Sequence, residues 1–538
     1  MKNTNTTTNK NNAFNSINKG EITMTTKKTT KTKTRIIAAV LAVISTVSLT
    51  AFAATSVSAA ETGKTAATVQ LSDEEQKKKD FEELKKAKDG KEAMAIYQKI
   101  YDRMERKMNE PKPDPIDHKG KTTVKTDGGE KDYDTFDEAF EQAVKAKNAF
   151  IKLHSEQNKL TGKTVPAGCD IDIDINGFSM YSKGDTFTVD NGGVLHVSNG
   201  FFSGDCSAVK ANGTVYLNKL TIRDATDSAV KVAQGVKAII TNCLFEENKG
   251  ERGGAIYMPG QVYGSDIRNN KFIDNRSTKE GGAVYTSTPI TGCLFKYNMS
   301  DSNGGAVYYG HSVQAIKNCT FQGNSAVGRG GALYLSASNE IIGNIFNDNH
   351  SDISGGAIYV PEDTDQKITY STFYRNTANG SGGGIYVGEH SKLEAIALTL
   401  TANEANYRGG AIYLGALTKS DHYFDAMKIT DNKASIGGGV YCDAGFARAA
   451  DVYLNRDIIV KDNANGNFYL VKNYEKKAVL YTTRNFFTDQ SCVYVNSSES
   501  GERAVVSLEE KFHENAFHGD NGRRLERGTL HNYTLYIQ

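Results

Sequence analysis

The chain has no tryptophan and only 7 prolines among 538 residues, which argues against a proline-rich spacer or a collagen-like rod and suits a fold of many stacked strands. Charge of one sign is also missing. Lys+Arg (64) and Asp+Glu (63) nearly cancel to a net +1, so no attraction to nucleic acid or anionic membrane is built into the chain as a whole. The 7 cysteines, at 169, 206, 243, 293, 319, 442 and 492, are odd in number and fit no zinc spacing. The 10 histidines are scattered without metal-ligand spacing. Long apolar runs are absent apart from residues 36–52. What is abundant is glycine, at 51, and tyrosine, at 27. The glycines recur too regularly for a flexible linker.

Residues 1–59 read as an export signal. Lys27, Lys28, Lys31, Lys33 and Arg35 form a basic region, followed by the apolar run and by the small-residue cleavage site Val57-Ser58-Ala59. The Asn/Thr/Lys-rich stretch before it is long for a signal, and initiation at Met24 would leave one of ordinary length. The rival reading is an uncleaved membrane anchor, for which 17 apolar residues are at the short limit. Cleavage is the expectation, because the run ends in small residues and leaves no stable membrane span.

Residues 60–120 form a charged helical segment and a proline-rich linker. Ser72 with Glu75 makes a capping box, and Tyr97, Tyr101, Met104 and Met108 share one helical stripe. Pro111, Pro113 and Pro115 end it in a stiff spacer. The stripe suits a coiled-coil seam, a docking face or a helix hairpin. A second helix is expected over 136–147, with Phe136, Phe140 and Val144 on one side, where it can plug the open end of a solenoid.

From Cys243 a repeat of about 26 residues dominates. Its first half is Phe-x-x-Asn, at Phe245/Asn248, Phe272/Asn275, Phe295/Asn298, Phe321/Asn324, Phe346/Asn349 and Phe373/Asn376, with softer copies at Leu400/Asn403 and Ile429/Asn432. Its second half is Gly-Gly-(Ala/Gly)-(Ile/Val/Leu)-Tyr, ending at Tyr257, Tyr285, Tyr308, Tyr334, Tyr359, Tyr386, Tyr413 and Tyr441. A unit this short cannot bury its own apolar face, so the copies must stack as parallel strands rising ~4.8 Å per coil. The expected fold is therefore all-β, a right-handed parallel β-helix over 121–463 with an N-terminal helical segment and a capping helix. Residues 464–538 are expected to form closing coils or a small β cap.

Alternation assigns faces. The aliphatic before each Tyr and the residue after it (Met258, Thr286, Tyr309, Leu335, Val360, Val387, Leu414 and Cys442) should point inward, with Ala and Tyr outward. The repeated Phe is inward, as are Cys243, Cys293 and Cys319 two residues before it. Those three read as buried thiols, with a disulfide between adjacent coils as the alternative. The repeated Asn should occupy a left-handed turn and hydrogen-bond along the axis in a ladder. The glycine pair should supply positive φ and close backbone approach.

Together the two half-motifs resemble the repeat of the chlamydial polymorphic outer membrane proteins and related bacterial surface adhesins. The stretch Ile171-Asp-Ile-Asp-Ile-Asn-Gly-Phe178 looks like the first coil of the wider pectate-lyase-like superfamily. The resemblance implies a β-helical surface or secreted protein of adhesin type. It does not extend to those proteins' anchoring. The sequence after Asn463 lacks the alternation of a translocating barrel and has no Leu-Pro-x-Thr-Gly sorting motif, so export by the general secretory route of a single-membrane bacterium is the expectation.

Two functions follow. One is a non-catalytic binding surface, in which the eight outward tyrosines form a stripe suited to sugar rings or a host or bacterial surface protein. The plain alternative is that neighbouring rings stack on each other and stiffen the rod. The other is a polysaccharide lyase or glycoside hydrolase, using Glu280, Asp301, Asp352 and Glu404 on the turns with Arg252, Arg329 and Arg408 nearby. Mixed charge on a solvated turn is the commoner meaning of such residues, and the paired aspartates and arginine motifs of those enzymes are not found. Asp170, Asp172 and Asp174 alternate on one strand face and could hold Ca²⁺, although a plain solvated face is the commoner meaning of such a pattern. The reading is a secreted or cell-surface interaction module, with no catalytic residue, cofactor, metal or nucleic-acid partner assigned.

Overall fold

The computed structural model describes residues 121–537 apart from 161, 311–314, 417–420, 445–448 and several short stretches between 474 and 533. The export signal, the helical stripe and the proline spacer lie outside the described residues.

The body is a parallel β-solenoid of about 13 turns. One coil serves for all. Leu333–Leu335 forms the tyrosine-bearing strand, Asn339–Ile342 the second, Ile345–Asn347 the phenylalanine-bearing third and His350–Ser351 a short fourth, before Gly355 and Gly356 return the chain to the next tyrosine strand at Ile358–Val360. Each strand pairs in parallel with its counterpart one coil on, so Phe321 lies opposite Phe346 and Tyr334 opposite Tyr359. The core is a set of vertical rows. Phe245, Phe272, Phe295, Phe321, Phe346 and Phe373 are fully buried and stack at 4.7–5.1 Å with planes within 3–9° of parallel. The residues on either side of each Tyr are buried as alternation requires, Thr286 and Tyr309 included.

The first coil begins earlier than residue 171. Asn148–Leu153 already pairs in parallel with Asp170–Asp174, and Lys163–Val165 with Phe187–Val189. The helix Phe136–Ala146 closes this end. Thr135 caps it, its hydroxyl accepting from the Glu138 amide at 3.2 Å, and Asp137 and Glu138 complement the dipole. Phe136 and Phe140 are buried against Phe187 at 6.3 and 6.1 Å, so the plug seals the row directly beneath it. It is the one helix among the described residues. At the other end parallel stacking continues through Phe468–Leu470, Cys492–Ser497 and Phe517–Gly519. Thr534–Ile537 then pairs antiparallel with Glu502–Ser507 and Leu525–Arg527.

The asparagine ladder is continuous. In each step from Asn248 through Asn275, Asn298, Asn324, Asn349, Asn376, Asn403, Asn432 and Asn463 to Asn467, the Nδ2 of one donates to the Oδ1 of the next at 2.8–3.0 Å. The same Oδ1 takes the neighbour's backbone N–H, as from Asn298 to Asn324 at 3.0 Å. These side chains are buried, and the second Nδ2 proton goes to a carbonyl of the preceding coil, as from Asn324 to Phe295. From Asn248 to Asn463 both Nδ2 protons of each asparagine are bonded within the protein. Asp520 terminates it, one carboxylate oxygen accepting both the N–H and the Nδ2 of Asn467 at 2.6 and 3.0 Å.

Two expectations about conformation are corrected. The left-handed residue is the one before each Asn, not the Asn: Glu247, Asp274, Tyr297, Gly323, Asp348, Arg375, Ala402 and Asp431 have φ of 53–63°. The preceding residue is on the outside of the turn, while the Asn is turned in for its amide. The alanines of Gly-Gly-Ala do not point out either. Ala255, Ala283, Ala306, Ala332, Ala357 and Ala411 are fully buried, because they sit in the bend before the strand, where two-residue alternation does not apply. At the equivalent Gly384, a Cβ would lie 2.6 Å from the Ala411 carbonyl oxygen and 3.3 Å from the core side chain of Leu400, so the bend leaves little room at this position.

The glycine pair behaves as expected. The first takes φ of 57–72°, and a Cβ on the second, as at Gly282, would lie 2.0 Å from the next coil's Gly305 carbonyl. All seven cysteines are free thiols. Cys243, Cys293 and Cys319 are buried but not merely apolar, for they share a second ladder position with Asn270, Asn344 and Ser371. The sulfurs of Cys293 and Cys319 each accept a backbone N–H from the preceding coil at 3.4 Å. Burial pushes the Cys243 thiol up to about 12 and Cys293 well above its usual value, so both are inert as thiolates.

Candidate functional site: the tyrosine face

Register brings the eight expected tyrosines into one outward column and adds a ninth, Tyr469, opposite Tyr441. Tyr469 has no Gly-Gly-Ala before it. The signal that would have found it is the apolar–aromatic–apolar alternation of Phe468, Tyr469 and Leu470, both flanks being buried. Toward the N-terminus the column continues from Tyr257 into Lys231 and Lys210, each in an ion pair, with Asp227 and with Asp185 at 2.5 Å, respectively.

The rings stack on one another. From Tyr285 onward successive centroids are 4.6–5.7 Å apart and the planes lie within 1–16° of parallel. Tyr257 is tilted by 37° at 5.4 Å. Ring faces are thus turned to neighbouring rings, leaving edges and hydroxyls outermost. Exposure differs along the column: Tyr257, Tyr285, Tyr308, Tyr334 and Tyr386 are half-buried, while Tyr359, Tyr413 and Tyr441 are 9%, 8% and 4% exposed.

Charged groups border the column. Arg252, Arg329 and Arg408, each immediately before a glycine pair, lie over the rings of Tyr285, Tyr359 and Tyr441 at 5.7, 5.3 and 5.1 Å. Asp443 accepts the Tyr413 hydroxyl at 2.5 Å. Burial, reinforced by neighbouring phenols, pushes Tyr334 up to about 12. Burial also raises Tyr386 and Tyr441 to about 12, and raises Tyr413 further with the help of Asp443.

The arginines and carboxylates proposed from sequence do not converge on one centre. Glu280 pairs with Arg252 at 2.7 Å, Asp301 with Arg276 at 2.8 Å and Glu404 with Lys433 at 2.6 Å. Asp352 takes hydrogen bonds from His350 and Asn379 at 2.9 and 3.2 Å. Each pairing except His350–Asp352 crosses from one coil to the next, which is the local role the geometry gives these residues. Asp170, Asp172 and Asp174 are likewise dispersed. Asp170 faces His196 at 3.4 Å, Asp174 accepts from Asn176 and Asn199, and burial raises the Asp172 carboxyl against the pull of His196. Among the described residues no group of three or more His, Cys, Asp or Glu side chains is arranged to hold a metal.

Two open hollows lie elsewhere. One, of about 590 Å³, runs over Lys125, Glu130, Asn148, Phe150 and His154 near the N-terminal cap. The other, of about 530 Å³, runs over Lys392, Glu394, Asp421, Tyr423 and Tyr453, beside the bidentate Asp425–Arg456 pair.

Comparison with known proteins gives two matches. The family described as a right handed beta helix region matches residues 207–362, and the Chlamydia polymorphic membrane protein repeat matches residues 370–388. No curated protein and no solved structure matches the chain. The second match falls on Tyr370 to Gly388, the stretch that holds Phe373, Asn376, the glycine pair and Tyr386, so it rests on the two half-motifs whose stacking builds the ladders. The chain is a right-handed parallel β-helix with repeats like those of the chlamydial polymorphic membrane proteins.

Proposed function

We propose that this chain is an exported, non-catalytic protein of adhesin type, secreted or held at the cell surface, whose tyrosine face binds a glycan or protein partner. One observation carries the reading: a column of nine tyrosines in unbroken register, five of the first eight only half-buried, bordered by Arg252, Arg329, Arg408 and Asp443. The polymorphic membrane protein repeat supports a surface location. The pairing of Glu280, Asp301 and Glu404 with cations of adjacent coils supports the non-catalytic choice, since a glycosidase needs two carboxylates facing one bond.

The test is an array of glycans and surface proteins probed with the full chain, beside an absorbance assay for unsaturated sugar products. We expect binding without product, and loss of binding with retained fold when Tyr308, Tyr334 and Tyr359 are replaced by alanine together. Product formation, or an array on which nothing binds, would overturn the proposal.

A further inference from the structure

The tyrosine column is not uniform, and its N-terminal part has the chemistry of a narrower site. Tyr257, Tyr285, Tyr308 and Tyr334 are the four successive half-exposed rungs, whereas the rings beyond them are mostly covered. These four advance by 4.9–5.4 Å per rung. Arg252 and Glu280 border one end as a pair 2.7 Å apart, 38% and 24% exposed, and both act electrostatically on Tyr285. Arg329 borders the other end, lying 5.3 Å over the ring of Tyr359, one rung beyond Tyr334.

We infer that this four-rung window, on the reading of the tyrosine face proposed above, binds a neutral linear β-linked polysaccharide lying along the solenoid axis. Three features single out that ligand. First, the spacing is periodic along one line, and an extended β-linked hexose chain advances by about one rung per sugar. Among protein surfaces only stacked β-strands offer such a period, and those present it as backbone and not as hydroxyls. Second, every outermost group is a planar polar one: phenol hydroxyl, guanidinium or carboxylate. These donate to and accept from sugar hydroxyls in pairs. The desolvated apolar anchor that organises a protein interface is missing, because the ring faces are spent on each other. Third, Glu280 pairs with Arg252 at 2.7 Å, so much of the cationic charge bordering the window is neutralised and a polyanion gains little here.

The experiment is calorimetric titration of the full chain with a neutral β-linked glucose hexasaccharide and with a polyuronate hexasaccharide, repeated on Y285F/Y308F/Y334F. That variant deletes three hydroxyls and keeps the ring stack. We expect the neutral sugar to bind, the polyuronate not to, and the variant to lose at least tenfold in affinity with an unchanged melting temperature. Glu280→Gln, which keeps the side chain's shape, should weaken binding severalfold and serves as the readout if the triple variant folds poorly. Equal binding by the variants, or binding of polyuronate alone, would overturn the inference. So would a protein ligand as the only hit, which would leave the interaction-module reading standing. Unsaturated product from either sugar would instead overturn that reading.

Discussion

The phenylalanine and tyrosine columns are built by the same repeat, with nearly the same rise and the same parallel stacking, yet they do different work. The phenylalanines stack inside, with no exposed area, surrounded by Ile, Val, Leu and the buried alanines. The tyrosines stack on the outer side of another strand, most of them partly exposed and three with arginines over their rings. Stacking is therefore a consequence of coil spacing alone, since any aromatic repeated at ~4.8 Å is driven against its neighbours. What separates core from surface is which side of the strand the residue takes and what closes over it.

The contrast can be broken most strongly at the inner column. Phe321→Ala should cost about 3–5 kcal/mol, because the cavity is walled by two other phenylalanines and cannot collapse. Tyr308→Ala should cost on the order of 1–2 kcal/mol, since only stacking is lost and water can fill the space. Urea unfolding of the two variants side by side measures the difference. Equal losses would mean that the outer stack is as integral to the rod as the core.

Next in size is the ladder terminus. Asp520→Ala strands two buried donors of Asn467 and should cost about 1–3 kcal/mol, concentrated in the C-terminal coils. Asp520→Asn retains an acceptor and should recover most of it. Hydrogen exchange at Asn467 and its neighbours resolves the local effect. A uniform loss along the rod would show that the ladder is not closed at this point.

Among the described residues the core holds one imidazole, whose behaviour sharpens the distinction further. His422 is fully buried on an inward row, and its Nδ1 accepts the Leu393 N–H at 3.1 Å. Burial lowers it from 6.5 to about 3. The unfolded chain takes up a proton below pH 6.5 that the folded one refuses, so stability is constant above that pH and falls below it. The loss is about 1.4 kcal/mol per pH unit at most until the folded group titrates. His422→Leu should flatten this limb between pH 6 and 4, as followed by melting temperature against pH; an unchanged slope would assign the acid loss to other groups.

The smallest expected effect is at the outer hydroxyls. Tyr308→Phe should change stability by less than about 0.5 kcal/mol, because the half-buried ring keeps its two stacking partners. A larger loss would place the hydroxyl in the fold and not in recognition.

Much of this architecture was legible because a solenoid writes its tertiary contacts as a period. Phe321 faces Phe346 for the same reason that they are 25 residues apart, and inward Leu333 and Leu335 flank outward Tyr334 by simple alternation. Residues outside regular strands were not legible in this way. Ala332 lies in a bend, so alternation placed it on the wrong side. The turn before Asn349 is made by Asp348, because one residue has to supply the left-handed conformation and the other the buried amide. The first coil at 148–165 carries no repeat motif, and only the pairing of Asn148–Leu153 with Asp170–Asp174 reveals it.

The linear order of residues thus determined the coil length, the inward rows and the existence of a tyrosine column, since these depend only on spacing and side-chain polarity. Tertiary structure decided that the ring faces are closed to one another, that the turn carboxylates pair mainly across coils, and that Asp520 ends the amide ladder. Those outcomes depend on lateral register and on contacts between residues as many as 53 positions apart, which no local pattern records.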